Sequence, residues 1–480
     1  MDLFGYFDEI CRIPRESGNE EGMRQYLLDW ASKNGIEAKR DKAGNIIARI
    51  PATKGFEDKP SVALQGHMDM VCVRVPGCEH DFTKDPIETY VDGDFLRAKG
   101  TSLGGDNGIG VAMAMAAFTD PVCKHGPLEA IFTFSEETGM DGAFNLDGSL
   151  VQSRRLINLD SEEEGVIYIG CAGGIDLVAD KEFVLSDAPK GTKALKINIE
   201  GLKGGHSGGE IHLQRLNAIT AMARILMALD EKGISFRIMK FDGGTRRNVI
   251  PSTCKCVIQI DGDDCEKAFR IVLDVAQTLK EENRFEEPGL KVECVCDDCT
   301  TCSKKCPSLS VQDSLTIART FFAIPHGVFA MSKALPGVVE TSDNLAIARL
   351  IDGKLHIEVS VRSNIDSAKY FLVNRIYTII TAFGIPCRIG DGYPSWTPDP
   401  DSKLAKFCAK AYEDNTGKKA VVTAIHAGLE CGVINSIVPG MDSVSLGPDL
   451  FDVHSTNEHF SISSVKRTYD FLKHLLSIIE

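Results

Sequence analysis

No apolar run in this chain approaches the roughly 20 residues that a membrane-crossing helix needs. The nearest candidate, "VAMAMAAF", is short and helical in character. Excess positive charge is also missing: the formal net charge is −15, which argues against nucleic acid or an anionic membrane as a partner. The start, "MDLFGYFDEICRIP", carries an early acid and no basic segment, so it does not read as a secretion signal. Without such a signal the 16 cysteines are expected as free thiols in a reducing cytoplasm, most of them small buried hydrophobes. What is present is ordinary globular composition, 43% hydrophobic and 25% charged, over 480 residues. That length is too great for one core and predicts at least two domains.

The first part of the chain alternates strands and helices. "GNIIARI", "SVALQGHMDMV", "LEAIFTF" and "RRLINLD" read as near-continuous apolar strands, and "GDNGIGVAMAMAAF" as a helix opening near Asp106. Buried strands alternating with helices indicate an α/β fold with a mostly parallel sheet between helices. Sites on such sheets gather at the carboxyl ends of the strands. The grain changes over residues 187–390, which read as two successive β-α-β-β-α units, about 187–288 and 289–390, before the α/β pattern returns in 391–480. The expectation is therefore an α+β domain of two similar halves inserted into an α/β domain formed by 1–186 and 391–480.

Polar residues interrupt the strand ends in a set. "TFSEETGM" places Glu136 and Glu137 after an apolar strand, where two adjacent buried like charges are costly unless something compensates them. "GHMDM" sends His67 and Asp69 to one side of a strand. A second-nitrogen contact from Asp69 would orient a metal-bound His67. "GGDNG" offers Asp106, "NLDSEEE" offers Asp160 and "DVHSTNEH" offers His454. Two imidazoles and three carboxylates suit two zinc-like ions roughly 3.5–4 Å apart with one bridging carboxylate. Taken singly, each feature also admits a plain structural reading: the His-x-Asp pair as sheet residues, Asp106 as a helix N-cap.

Taken in order, "GHMDMV", "GGDNGIG", "TFSEETGM", "NLDSEEEG", "GLKGGHSGGEIH" and "HSTNEHFSI" resemble the motifs of the di-zinc aminoacylase/carboxypeptidase family of exopeptidases, nearest its Xaa-His dipeptidase branch. The resemblance spans essentially the whole chain. It implies a zinc-exopeptidase-like catalytic domain with an inserted lid. One metal would take His67, Asp106 and Asp160, the other Asp106, Glu137 and His454. Glu136 would be the general base for water activated at the metals, with Asp69 beside it. By the same likeness His206 would hydrogen-bond the developing oxyanion, where its own context reads only as a turn histidine. Asn248 in "RRNVIP" would contact substrate, and His426 in "HAGLECG", with Glu430, falls where the family has a substrate loop. Single-lid relatives carry a carboxylate-binding Arg thirteen residues beyond the Asn248 position. Here Asp261 stands there, and Arg362 in "LHIEVSVRS" is the substitute from the second half.

The implied activity is cytoplasmic hydrolysis of dipeptides with a free N-terminus. The implied cofactors are two divalent metals, zinc with cobalt or manganese as substitutes. The partner is a small peptide, not nucleic acid or membrane. A doubled lid lets one chain complete the site, so a monomer suffices and a homodimer is optional. The alternatives are an N-acyl amino acid amidohydrolase on the same scaffold and a catalytically silent metal- or peptide-binding protein. The run "CVCDDCTTCSKKC", Cys294 to Cys306, reads as exposed thiols, with a structural zinc site as the alternative.

Overall fold

The computed structural model describes residues 1–187, 189–297 and 307–480. They form two compact units, Met1–Cys171 with Trp396–Glu480, and Ala172–Ser395.

The first unit is built on an eight-stranded sheet. Its order is Glu37–Arg40, Ile46–Ile50, Leu128–Thr133, Val62–His67, Arg155–Asn158, Asp442–Ser445, Val166–Cys171 and Val421–Ile425. Val62–His67 lies at the centre, parallel to Leu128–Thr133 on one side and to Arg155–Asn158 on the other. Both Val62–His67 and Leu128–Thr133 are buried at every position, as strands covered on both faces must be. Helix Gly105–Thr119 is rich in Gly and Ala and buried nearly all round. Its small side chains let it pack closely on Val62–His67 and on helix Leu3–Cys11. A separate four-stranded sheet orders Leu450–Phe451, His459–Ser461, Phe95–Ala98 and Thr89–Asp92. His454 lies in the connection between its first two strands.

The second unit is one nine-stranded sheet, antiparallel throughout. One half takes strands Thr192–Glu200, Phe236–Gly243, Cys254–Asp261 and Lys291–Asp297 with helices Ala218–Glu231 and Cys265–Glu282. The other takes Gly173–Glu182, Val339–Ile351, Lys354–Ser363 and Cys387–Ile389 with helices Val311–Ala323 and Asp366–Ala382; Gly327–Met331 adds an edge to Val339–Ile351. The halves meet where Phe236–Gly243 pairs with Val339–Ile351, and they share one apolar core.

This differs from the division expected from sequence. Lys291–Asp297 pairs with Thr192–Glu200 and closes the first half instead of opening the second. Gly173–Glu182 pairs with Lys354–Ser363, so the second half begins before the first. The halves are nested rather than consecutive, and the units divide at 171/172 and 395/396 rather than at 186/187 and 390/391. The sequence reading did not mark Gly173–Glu182 as a strand, and for Lys291–Asp297 hydropathy marks the strand but not its hydrogen-bonding partner, which is set by the edges left open in the folded sheet. The structure also brings the sulfurs of Cys265 and Cys296 against each other. Of the cysteine run, Cys294 and Cys296 are described, and Cys299, Cys302 and Cys306 lie outside the described residues.

Candidate metal centre

Three neighbouring strands deliver the centre. His67 is the last residue of Val62–His67, Leu128–Thr133 leads into Glu136 and Glu137, and Arg155–Asn158 leads into Asp160. Because these strands are adjacent and parallel, their carboxyl ends open on one edge of the sheet. Asp106 comes from the turn at the head of Gly105–Thr119, where Asp106 and Asn107 are non-helical. Asn107 ties that turn to the neighbouring strand end by donating to the Leu159 carbonyl at 2.7 Å. Ser135 (φ 48°) and His454 (φ 59°) are both left-handed non-glycine residues, a conformation that concentrates at functional sites.

Asp106 divides its carboxylate between two imidazoles. Oδ1 is 2.9 Å from His67 Nε2, and Oδ2 is 3.0 Å from His454 Nε2. Asp160 Oδ1 approaches the same His67 nitrogen at 3.4 Å, and Glu137 Oε2 approaches His454 Nε2 at 2.9 Å. Donor atoms of His67, Asp106 and Glu137 lie within 4.8 Å of one another.

Electrostatics mark the cluster as a cation site. Two like charges 4 Å apart repel by about 4 kcal/mol even at an effective dielectric of 20, and four carboxylates converge here on two imidazoles. Burial pushes Asp160 up to about 7, and burial with the neighbouring carboxylates raises Glu136 well above the usual carboxylate range. Burial opposes charge on His67, but the Asp160 and Asp106 carboxylates outweigh it and raise the imidazole well above its ordinary value. Asp160 Oδ1 is buried without a hydrogen-bond partner. Imidazole nitrogens and carboxylate oxygens in this arrangement fit divalent metal, zinc among them.

Asp69 organises the paired glutamates. It accepts the backbone N–H of Glu136 at 3.0 Å and of Glu137 at 3.2 Å, and lies 3.4 Å from His67 Nδ1. Burial alone would raise its pKa; contacts from His67, Ser17 and Glu136 hold it down to about 2.

Residues that spacing did not mark support this arrangement. Ser17 Oγ donates to Asp69 at 2.7 Å. Arg15, 2% exposed, donates to the carbonyls of Met68, Asp69 and Gly104. Glu20 accepts both the N–H and the hydroxyl of Ser135. Glu430, read as part of a substrate loop, is instead fully buried. It accepts from Gln65 and Thr133 at 2.5 and 2.6 Å, and burial pushes its pKa up to about 7. Gln65 in turn accepts from Asn158 at 2.6 Å. This polar chain links the three strands that lead into the cluster. His426 is buried where strand Val421–Ile425 ends.

The remaining expected residues belong to the second unit. His206 Nδ1 accepts the N–H groups of Gly208 and Gly209 at 3.3 and 3.0 Å. That places the proton of the neutral ring on Nε2, making it a donor. Asn248 is exposed, and its carbonyl accepts from Ser207 at 2.9 Å, so His206 and Asn248 share one corner. Arg362 Nη1 donates to the Tyr393 hydroxyl at 2.8 Å, and its Nε is buried without a partner. Asp261 caps a short turn through the Asp263 N–H.

Comparison with known proteins agrees with this chemistry. Residues 63–478 match the description Peptidase family M20/M25/M40. The cytosol non-specific dipeptidase of Escherichia coli K12 is 39% identical over 479 residues, covering 99% of this chain and 97% of that protein. The crystal structure of aminoacylhistidine dipeptidase from Vibrio alginolyticus superposes with a TM-score of 0.90 at 36% identity, covering 100% of this chain and 96% of that one. Aminopeptidase PepT from Bacillus cereus shares the fold at a TM-score of 0.56 and 17% identity, over 99% and 97% of the two chains. The eight-stranded α/β unit with its edge of imidazoles and carboxylates is thus that of a metallopeptidase, and the chain belongs to peptidase family M20/M25/M40.

Proposed function

We propose that this protein hydrolyses dipeptides with a free N-terminus at a two-metal centre. His67, Asp106 and Asp160 hold one ion; Asp106, Glu137 and His454 hold the other. Zinc is the proposed ion, with cobalt or manganese able to replace it. The observation that carries this reading is the Asp106 carboxylate, whose two oxygens face two different imidazoles. When bound, the metals polarise the scissile carbonyl and bring the pKa of water toward neutrality.

The chain's own residues supply the proton transfers and the orientation. Glu136 takes the proton from the attacking water and returns it to the leaving amine. Asp69 aims Glu136 through its backbone N–H. His206, with its proton on Nε2, is the proposed donor to the oxyanion. Asn248 and His426 are proposed to contact substrate, and Arg362 to bind its carboxylate.

The E. coli relative is named non-specific and the Vibrio relative aminoacylhistidine dipeptidase. Both names support a dipeptide substrate, with C-terminal His accepted. Among the described residues no helix is long and apolar enough to cross a membrane, and the E. coli relative is named a cytosol enzyme, which supports a cytoplasmic location. The doubled lid offers His206 and Asn248 from one half and Arg362 from the other, and on that ground we take a monomer as sufficient and a homodimer as optional.

The test is hydrolysis by zinc-reconstituted protein of a dipeptide panel beside its N-acetylated counterparts. Free dipeptides should be cleaved far faster. Preference for acetylated substrates would make the protein an amidohydrolase, and zinc uptake with no hydrolysis of either set would make it a binding protein.

A further inference from the structure

We infer that Glu458 is a positioning residue for the metal centre, its carboxylate fixing the turn that aims Asp106. Glu458 is 4% exposed. One oxygen accepts the N–H groups of Leu103 and Gly104 at 2.8 and 3.0 Å; the other accepts those of Gly105 and Asp106 at 2.7 and 3.2 Å. An ionised carboxylate has about four acceptor sites, so four successive amides saturate it, and each contact is charge-assisted. Arg15 holds the same turn from its carbonyl side, at Gly104.

The glycine at 104 makes the Arg15 approach possible. A Cβ at Gly104 would run into Arg15 Nη2, whereas one at Gly105 would meet Phe460 Cδ1 at 3.2 Å before Glu458 Oε1 at 3.4 Å. Gly104 also adopts φ 69°, which favours glycine. Glu458 shares a connection with His454, between strands Leu450–Phe451 and His459–Ser461. A single segment therefore supplies His454 and also anchors the turn whose Asp106 oxygen meets it at 3.0 Å. The two residues are sequence-distant ligands held in one register by this carboxylate.

The inference rests on the metal centre proposed above, and the experiment separates the two. Wild-type protein and Glu458→Gln are stripped with chelator and titrated with zinc chloride by calorimetry. Melting temperatures of the stripped proteins and visible spectra of the cobalt-loaded ones are recorded in parallel. An amide at 458 turns one acceptor into a donor facing two N–H groups, so zinc affinity should fall about 10- to 100-fold, the usual range for groups that orient ligands. The cobalt spectrum should change with it. Glu458→Asp, which keeps the charge but draws it back from the four amides by one methylene, should weaken zinc in the same direction and decides the matter if Glu458→Gln does not fold. Lowered melting with unchanged zinc affinity and an unchanged cobalt spectrum would make Glu458 merely structural and overturn the inference alone. Failure of the wild type to take up zinc would overturn the metal centre itself, and this inference with it.

Discussion

One carboxylate oxygen of Asp69 accepts the backbone N–H of Glu136 at 3.0 Å, so the residue beside the proposed metal ligands sets where the proposed base stands. The other oxygen receives Glu137 N–H and Ser17 Oγ. All these partners are donors. Asp69→Asn keeps the shape but puts an N–H₂ group against at least one of them. Turnover should fall about 10- to 100-fold, read by steady-state kinetics. Unchanged turnover would remove Asp69 from this role.

Glu136 and Glu137 are neighbours with different proposed duties. Glu136→Gln should keep metal content near wild type and lower turnover about a hundred- to ten-thousand-fold, the range for loss of a general acid–base group. Metal analysis alongside single-turnover kinetics checks this. Loss of metal instead would exchange the roles of the two residues.

Arg362 presents a buried, unpartnered Nε while Nη1 is held by Tyr393. An Arg fork suits a carboxylate. Arg362→Ala should raise KM for free dipeptides by the equivalent of roughly 2–5 kcal/mol, and leave dipeptide amides, which lack that charge, nearly unaffected. Equal losses on both substrates would exclude carboxylate binding.

Asp343 is buried in the second unit with Oδ2 unpartnered. Burial pushes it up to about 8, against an opposing pull from Arg375. In the unfolded chain an Asp titrates near 3.9, so between about pH 4 and pH 8 the folded state binds the extra proton. Stability from this group is complete below about pH 4 and is lost as pH rises through about 8. Asp343→Asn does not carry that dependence. Its melting temperature should match wild type near pH 4 and exceed it by a widening margin up to pH 8. A constant margin across that range would show that Asp343 is not the group responsible.

The candidate cluster of imidazoles and carboxylates was legible because it obeys local rules. Apolar strands that end abruptly in His or acidic residues are visible without a fold, and a Gly-rich turn before a small-residue helix marks Asp106. Glu430 was misread for the same reason: its neighbours in sequence resemble a loop, but its partners are Gln65 and Thr133, hundreds of residues away. Arg15, Ser17, Glu20 and Glu458 carry no periodicity at all. Each acts through a few hydrogen bonds to backbone or side chains distant in sequence, and such a bond leaves no spacing pattern.

By itself the sequence determined the type of the elements it marked, the α/β character of the first unit, and the donor chemistry available at its strand ends, since these follow from hydropathy period and side-chain type along a short stretch. Tertiary structure alone decided that the halves of the second unit are nested, because a strand edge pairs with whichever edge remains open, not with its neighbour in sequence. It also decided that Asp106 faces both His67 and His454. That orientation depends on a turn held by Arg15 on one side and Glu458 on the other, and those contacts exist only once the ends of the chain have folded together.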